Sequence, residues 1–293
     1  MERRDFIKAS CCTGIASLTG ASVALGQDFI PTQRQPNETA TQYAQRVARE
    51  RALAEQARRM ARERTLTASG VATRCYALWR YTIANPAQKQ RFDTFVEGAL
   101  IPALNRAGIE QVGVFSPEGE FASNRAYLLL SQSSIGNMTS LSICLARDEE
   151  YTEMTSAFLQ THANGRPYQR KDVQLVASLT KMTSVEAPAP GADSILQLRS
   201  YECFDAGTEL KAIEMFNATG IAVLLETGVS PVFFGQTIAG ENMPNLTCLL
   251  AAADVGTHEL GRRQLLSQTE YNVSELVYTV TDETLKPAAY SQI

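Results

Sequence analysis

Histidine is scarce in this 293-residue chain: only His162 and His258 occur, which leaves little material for a metal cage or a histidine-based triad. Tryptophan occurs once, and 27 Lys and Arg stand against 31 Asp and Glu, for a net charge of −4. A broad nucleic-acid-binding face needs a surplus of basic residues over the phosphates it neutralises, so that class is excluded. Six Cys, 18 Gly and 11 Pro are too few for a disulfide framework or for a collagen-like or low-complexity chain. No window holds the roughly 20 apolar residues of a stable membrane span. No spacing of Cys, His and acids resembles a zinc site. A Gly-rich phosphate loop after a strand is absent, and so is Gly-x-Ser-x-Gly. What is present, 44% hydrophobic and 20% charged residues, suffices for one large or two ordinary globular domains.

The N-terminus reads Met1-Glu2-Arg3-Arg4-Asp5-Phe6-Ile7-Lys8, the pattern of a bacterial twin-arginine export signal. A mildly apolar stretch from Ala9 to Leu25, with small residues at Ala24 and Gly26, predicts a signal over 1–26 and a mature protein in the periplasm or outside the cell. Residues 27–71 read as a polar linker holding Pro31 and Pro36, then a basic helix over 41–64 opened by a capping box of Thr39 and Gln42. Seven Arg against three Glu make Arg46–Arg64 +4, with opposite charges four apart at pairs such as Arg46/Glu50. From residue 71 onward 16 basic residues face 24 acidic ones, so a basic arm precedes a body of charge −8.

The body repeats itself. A shift of 120 residues lays Ile101-Pro-Ala-Leu-Asn-Arg-Ala-Gly108-Ile109 on Ile221-Ala-Val-Leu-Leu-Glu-Thr-Gly228-Val229, and places Leu78 on Leu198 and Tyr81 on Tyr201. With one residue inserted, Asn124 falls on Asn245 and Leu128-Leu129 on Leu249-Leu250. This predicts two copies of one domain, 72–185 and 195–293, joined by a Pro- and Gly-containing linker over 186–194. Each copy runs strand, helix, strand, strand, helix, strand. In the first copy the strands are expected at 74–82, 109–115, 126–130 and 173–179, with helices at 86–107 and 148–160. In the second the strands are expected near 195–203, 229–238, 246–251 and 276–280, with helices near 208–227 and 255–267. That order is α+β, ferredoxin-like: a four-stranded antiparallel sheet with two helices on one face. The other face needs cover, which a second copy can supply.

Val232-Phe-Phe-Gly-Gln-Thr-Ile-Ala-Gly240-Glu-Asn-Met-Pro-Asn245-Leu-Thr247, with Leu198-Arg-Ser-Tyr201, Arg106-Ala-Gly-Ile-Glu-Gln-Val-Gly-Val-Phe115 and the C-terminal Leu285–Ile293, resembles the NIPSNAP family over about 72–293. The resemblance implies tandem domains packed as a dimeric α/β-barrel-type pseudo-dimer. It implies no agreed reaction. The first copy departs from the family pattern at Leu78-Trp79-Arg80-Tyr81, and the basic helix is extra.

Four residues stand as ligand-pocket candidates: Arg199, Tyr201, Asn245 and His258. Arg199 and Tyr201 lie two apart on a strand and project from one face, opposite Leu198. They are read either as polar pocket lining or as a hydrogen-bonding pair between the two sheets. Asn245 is expected to organise the turn into its strand. His258, in the first turn of a helix, is expected to be exposed, with haem ligation or base catalysis as the functional alternative. Cys203 and Cys248 are placed to face one another across a strand pair, as a disulfide or, more plainly, as buried thiols beside Cys75 and Cys144. No motif calls for a cofactor. The function expected is non-catalytic binding of an unidentified small molecule or protein, with a homo-oligomer left open. The alternative is a small-molecule enzyme of the dimeric α/β-barrel superfamily, of cofactor-independent monooxygenase or haem-binding type.

Overall fold

The computed structural model describes residues 38–52, 71–119, 124–159, 165–182, 195–268 and 273–293. The export signal, the basic helix beyond residue 52, His162 and the linker over 186–194 lie outside the described residues. Helix α1 covers residues 40–52 and belongs to a unit of its own, Met1–Thr65. Its start is the anticipated capping box: the Thr39 hydroxyl accepts from Gln42 N–H at 3.2 Å, and Gln42 Oε1 accepts from Thr39 N–H at 3.0 Å. Arg46 then donates to Glu50 one turn on, at 2.8 Å. None of the described helices is long and apolar enough to cross a membrane.

The remaining chain, Leu66–Ile293, forms the second unit. Its first half comprises β1 (Val71–Thr82), α2 (Pro86–Phe95, continuing through Val96–Leu100 and Ile101–Arg106), β2 (Gly113–Pro117), β3 (Arg125–Gln132), α3 (Ile135–Arg147), α4 (Glu149–Leu159) and β4 (Arg170–Leu179). The second half comprises β5 (Ile195–Cys203), α5 (Ala206–Met215, continuing through Phe216–Gly220 and Ile221–Glu226), β6 (Ser230–Ala239), β7 (Asn245–Ala252), α6 (Val255–Gln268), α7 (Val273–Leu276) and β8 (Val277–Pro287). The eight strands close into an antiparallel barrel in the order β1-β3-β2-β8-β5-β7-β6-β4. Each half thus supplies four adjacent strands in the same internal order.

The 120-residue repeat is visible in local chemistry. Asn85 caps α2 by accepting from Gln88 N–H at 2.9 Å, and Asp205 caps α5 by accepting from Thr208 N–H at 2.8 Å. Both helices widen into a π turn, at Val96–Leu100 and at Phe216–Gly220. Both end before a glycine in the left-handed region, Gly108 (φ 90) and Gly228 (φ 83), where any side chain would be strained. The shift stays at 120 through β3 and β7, because Leu78 opposes Leu129 as Leu198 opposes Leu249. The inserted residue expected from the sequence is therefore absent: Asn245 corresponds to Arg125, not to Asn124.

Two further expectations are corrected. The first half carries helix α3 before α4, a segment whose Met138, Leu141 and Leu145 recur at helical spacing and are buried. Strand β8 runs to Pro287, well past residue 280, although its sequence becomes acidic, because β5 pairs with it as far as Leu285 and β2 from Leu285 to Pro287. Beyond β8 the tail crosses to the first half, where Ala288 N–H donates to Val114 O at 2.8 Å and Gln292 N–H to Val112 O at 3.0 Å.

Strand alternation sends side chains to three cores. Ala77, Trp79 and Tyr81 of β1 pack outward on Phe92, Phe95 and Leu100 of α2. Tyr201, Phe234 and Cys248 pack outward on Ile213 and Phe216 of α5. Tyr76, Leu78, Phe115, Leu129, Val176, Leu196, Phe233 and Leu249, drawn from both halves, fill the barrel interior. Phe233 and Phe234 thus face opposite cores, and both are fully buried. Each such side chain contributes on the order of 1.5–3 kcal/mol. The halves are joined edge to edge as well as face to face, at β2·β8 and β4·β6. At the second seam Gly235 opposes Ser178, and a Cβ there would run into the Ala177 carbonyl oxygen and Val176 Cγ1. Only glycine lets these backbones approach so closely.

Candidate functional site

The barrel interior has an apolar end and a polar end. Along β1 the inward residues pass from Tyr76 and Leu78 to Arg80, along β5 from Leu196 and Leu198 to Ser200 and Glu202, and along β8 from Leu285 to Glu283 and Thr281. The polar end opens into a cavity of about 810 Å³ that includes Arg80, Arg125, Tyr127, Asp172, Gln174, Ser200, Glu202, Thr247, Thr281 and Glu283. A barrel mouth of this size is a common place for a small-molecule site.

Its charges are mostly matched within the wall. Arg80 donates to Glu241 at 2.9 Å and reaches Asp172 at 3.4 Å. Arg125 pairs with Glu283 at 3.1 Å, and the Tyr127 hydroxyl donates to the other oxygen of Glu283 at 2.5 Å. Glu118 is held by Lys286 at 2.7 Å, and Asp282 by Arg199 at 2.6 Å. Gln174 donates to both Thr237 Oγ1 and Thr247 Oγ1, each at 2.7 Å. Glu202 differs: its carboxylate accepts from Asn242 Nδ2 at 3.0 Å, but among the described residues it has no cationic partner. Arg170 and Arg80 hold the Asp172 carboxyl below its ordinary pKa. Burial, reinforced by the bond to Glu283, pushes the Tyr127 phenol above its ordinary value. Both groups are moved away from neutrality, unlike a general acid or base poised for proton transfer.

The four candidates named from the sequence do not line this cavity. Arg199 and Tyr201 share a face, as expected, but it is the outer, helix-covered face of the sheet. Arg199 is 3% exposed. It donates through Nε to Asp282 at 2.6 Å, through Nη2 to Gln197 Oε1 at 2.7 Å and through Nη1 to the Tyr201 hydroxyl at 3.3 Å. Its carboxylate partner lies on β8, in the same half, so the pair does not bridge the two halves. Burial works against the Arg199 charge, yet Tyr201 and Asp282 outweigh it and hold the pKa above the ordinary value.

His258 of α6 is 5% exposed, contrary to the exposed position expected of it. Burial, then the Arg199 charge, lowers its pKa, with Asp282 opposing. The imidazole is thus favoured in its neutral form. The buried Arg199 joins the buried Tyr201 to Asp282, whose side chain is 38% exposed, and its charge acts on the buried His258; the Cys248 thiol, opposite Arg199 in the β5–β7 register, is pushed up to about 12 by burial.

Asn245 sits apart, 1% exposed. Its Nδ2 donates to the carbonyls of Glu241 and Asn242, both at 2.9 Å, and its Oδ1 accepts from Thr237 Oγ1 at 2.6 Å. It ties the β6–β7 turn to the wall behind the cavity, including the Thr237 and Thr247 hydroxyls that Gln174 also reaches. The Cys203–Cys248 pairing does not form. Register places Cys248 opposite Arg199 and Cys203 beyond Asn245, and both are free thiols. Cys144 is exposed, not buried.

Sequence reasoning missed Arg80, Arg125, Tyr127 and Glu202. The one available signal was polarity at alternate positions near the ends of otherwise apolar strands, which becomes meaningful only once those ends converge on a shared lumen.

No family model matches the sequence, and no curated protein does. Among solved structures, the chain is similar to a candidate monooxygenase from Lactobacillus acidophilus, at 14% identity over 75% of this chain and 98% of that one, with a TM-score of 0.47. It is similar to a second candidate monooxygenase, from Fusobacterium nucleatum, at 7% identity over 74% and 93%, with a TM-score of 0.49. A chlorite dismutase from Candidatus Nitrospira defluvii is similar at 11% identity over 78% and 95%, with a TM-score of 0.43. At these values none carries an argument about chemistry or descent.

Proposed function

We propose that this chain is an exported, non-catalytic binding protein, a NIPSNAP-like tandem of ferredoxin-like domains in dimeric α/β-barrel arrangement. Its ligand is a small polar molecule bearing an ammonium group, held in the mouth of the barrel. The observation that carries this reading is Glu202, a carboxylate without a cationic partner among the described residues, in the 810 Å³ cavity whose other carboxylates are each already paired. An ammonium group would supply the missing partner, while Ser200, Thr281 and Gln174 offer hydrogen bonds to the rest of the molecule. Prior pairing of the other charges keeps the wall organised before the ligand arrives, which lowers the cost of binding. The twin-arginine pattern at the N-terminus supports a periplasmic place of action.

The test is native mass spectrometry of the exported protein for retained mass, followed by calorimetric titration with agmatine and with its uncharged or anionic analogues. Agmatine is expected to bind, and Glu202→Gln to weaken it about tenfold, the worth of one charge-assisted contact. Equal binding of anionic analogues, or full affinity in Glu202→Gln, would refute the reading.

The buried Arg199, Tyr201 and His258, with the half-exposed Asp282 paired to Arg199, favour a second reading, an enzyme of the same superfamily. For a haem the fit is poor, since an imidazole 5% exposed beside an ion pair offers no open side to an iron. A Soret band in protein purified from the periplasm, lost in His258→Ala, would overturn both that fit and the preferred reading.

A further inference from the structure

A second cavity, of about 600 Å³, lies on the outer face of the first half, between β1 and β4 on one side and α3 and α4 on the other. Its walls are largely apolar, with Trp79, Val173 and Leu175 from the sheet and Leu141 and Leu145 from α3. At its edge stands Lys171, whose Nζ sits 3.9 Å from the centroid of the Trp79 ring. Among the described residues no carboxylate or other side chain accepts from this ammonium. Desolvation accordingly lowers its pKa. The ring face compensates part of the lost hydration but accepts none of the three N–H donors in a conventional hydrogen bond.

A cation with no carboxylate partner among the described residues, beside a half-open apolar pocket, matches one ligand chemistry. We propose that this cavity binds an amphipathic carboxylate, with the head group on Lys171 and the apolar body against Trp79, Leu141 and Leu145. The site is separate from the barrel mouth: the two cavities share only Val173, on a strand between them, and the two unpartnered charges are of opposite sign.

Trp79 is the only tryptophan in the chain, so its emission reports on this cavity directly. The purified protein would be titrated with decanoate, decylamine and decanol, which share a body and differ in the head. Decanoate is expected to give a saturable change in Trp79 emission, with decylamine binding at least about tenfold more weakly. Lys171→Met should weaken decanoate about tenfold and erase the preference over decanol. Ala146→Phe, at an exposed position on the cavity wall that tolerates a larger side chain, should abolish the change while circular dichroism stays unaltered. The proposal is overturned by no saturable response, by decylamine binding as well as decanoate, or by an unchanged decanoate affinity in Lys171→Met. Glu202→Gln leaves this titration unaltered, so failure here and failure at the barrel mouth are distinguishable.

Discussion

If the two halves share one interior, a cavity cut in the second half must loosen the first. Phe233→Ala makes that cut. Phe233 is fully buried in the barrel interior and its ring lies 5.2 Å from that of Tyr76, across the boundary between the halves, at an interplanar angle of 48°. Phe-to-Ala truncation in a core costs about 3–5 kcal/mol, and the aromatic pair adds about 0.5–1.5 kcal/mol. With a urea m-value of about 3 kcal/mol/M, suited to a body of this size, the midpoint should fall by more than about 1 M. The assay follows two signals: far-ultraviolet circular dichroism for the whole body, and Trp79 fluorescence for the outer core of the first half. One cooperative unit requires both midpoints to drop together. A Trp79 transition that stays in place while the dichroism splits in two would refute the shared interior.

His258 makes stability depend on pH. Its folded-state pKa lies below the ordinary 6.5, so the unfolded chain binds the proton more readily. The stabilisation is complete above about 6.5 and is lost as pH falls from there toward the folded-state value. The melting temperature of wild type minus that of His258→Gln should fall as the pH is lowered from 7.5 to 5, since only the wild type loses stability by taking up a proton; a constant difference would count against the buried neutral imidazole. Thiol chemistry is the simplest check. Burial pushes Cys75 to about 11 and both Cys203 and Cys248 to about 12, whereas Cys144 is exposed. Ellman's reagent should label one of these four thiols in the native body and the other three only on denaturation; rapid labelling of more than one would mean that Cys75, Cys203 or Cys248 is not buried.

Much of this architecture was legible in the chain because its signals are local. The glycines Gly108 and Gly228 and the apolar spacing of α2 and α5 act within a few residues of themselves, and the recurrence of segment 101–109 at 221–229 identified the repeat; the caps Asn85 and Asp205, also 120 apart, obey the same local rule. Helix α3 escaped notice since its outward face mixes small polar residues with the exposed Ile135 and Ile143, and β8 since its acidic residues look like a loop until β5 pairs with them. The inserted residue was an artefact of matching leucines: Leu249 resembles Leu128 in type, but register aligns it with Leu129.

Site residues were a different matter. Arg199, Tyr201, Asn245 and His258 were conspicuous in sequence as polar residues in or beside apolar segments, and two of them do meet, Arg199 donating to the Tyr201 hydroxyl on the outer face of the sheet. A polar residue on a strand can face either side, and periodicity alone does not say which side is the lumen. Sequence by itself determined the repeat, the caps and turns, and which strand positions are apolar, for these depend on neighbours a few residues away. Tertiary structure alone decided that eight strand ends close on one mouth, that among the described residues Glu202 there and Lys171 outside have no partner of opposite charge, and that Cys203 and Cys248 pass each other. Those outcomes depend on registers between strands dozens of residues apart, where a shift of one position sends every side chain to the opposite face.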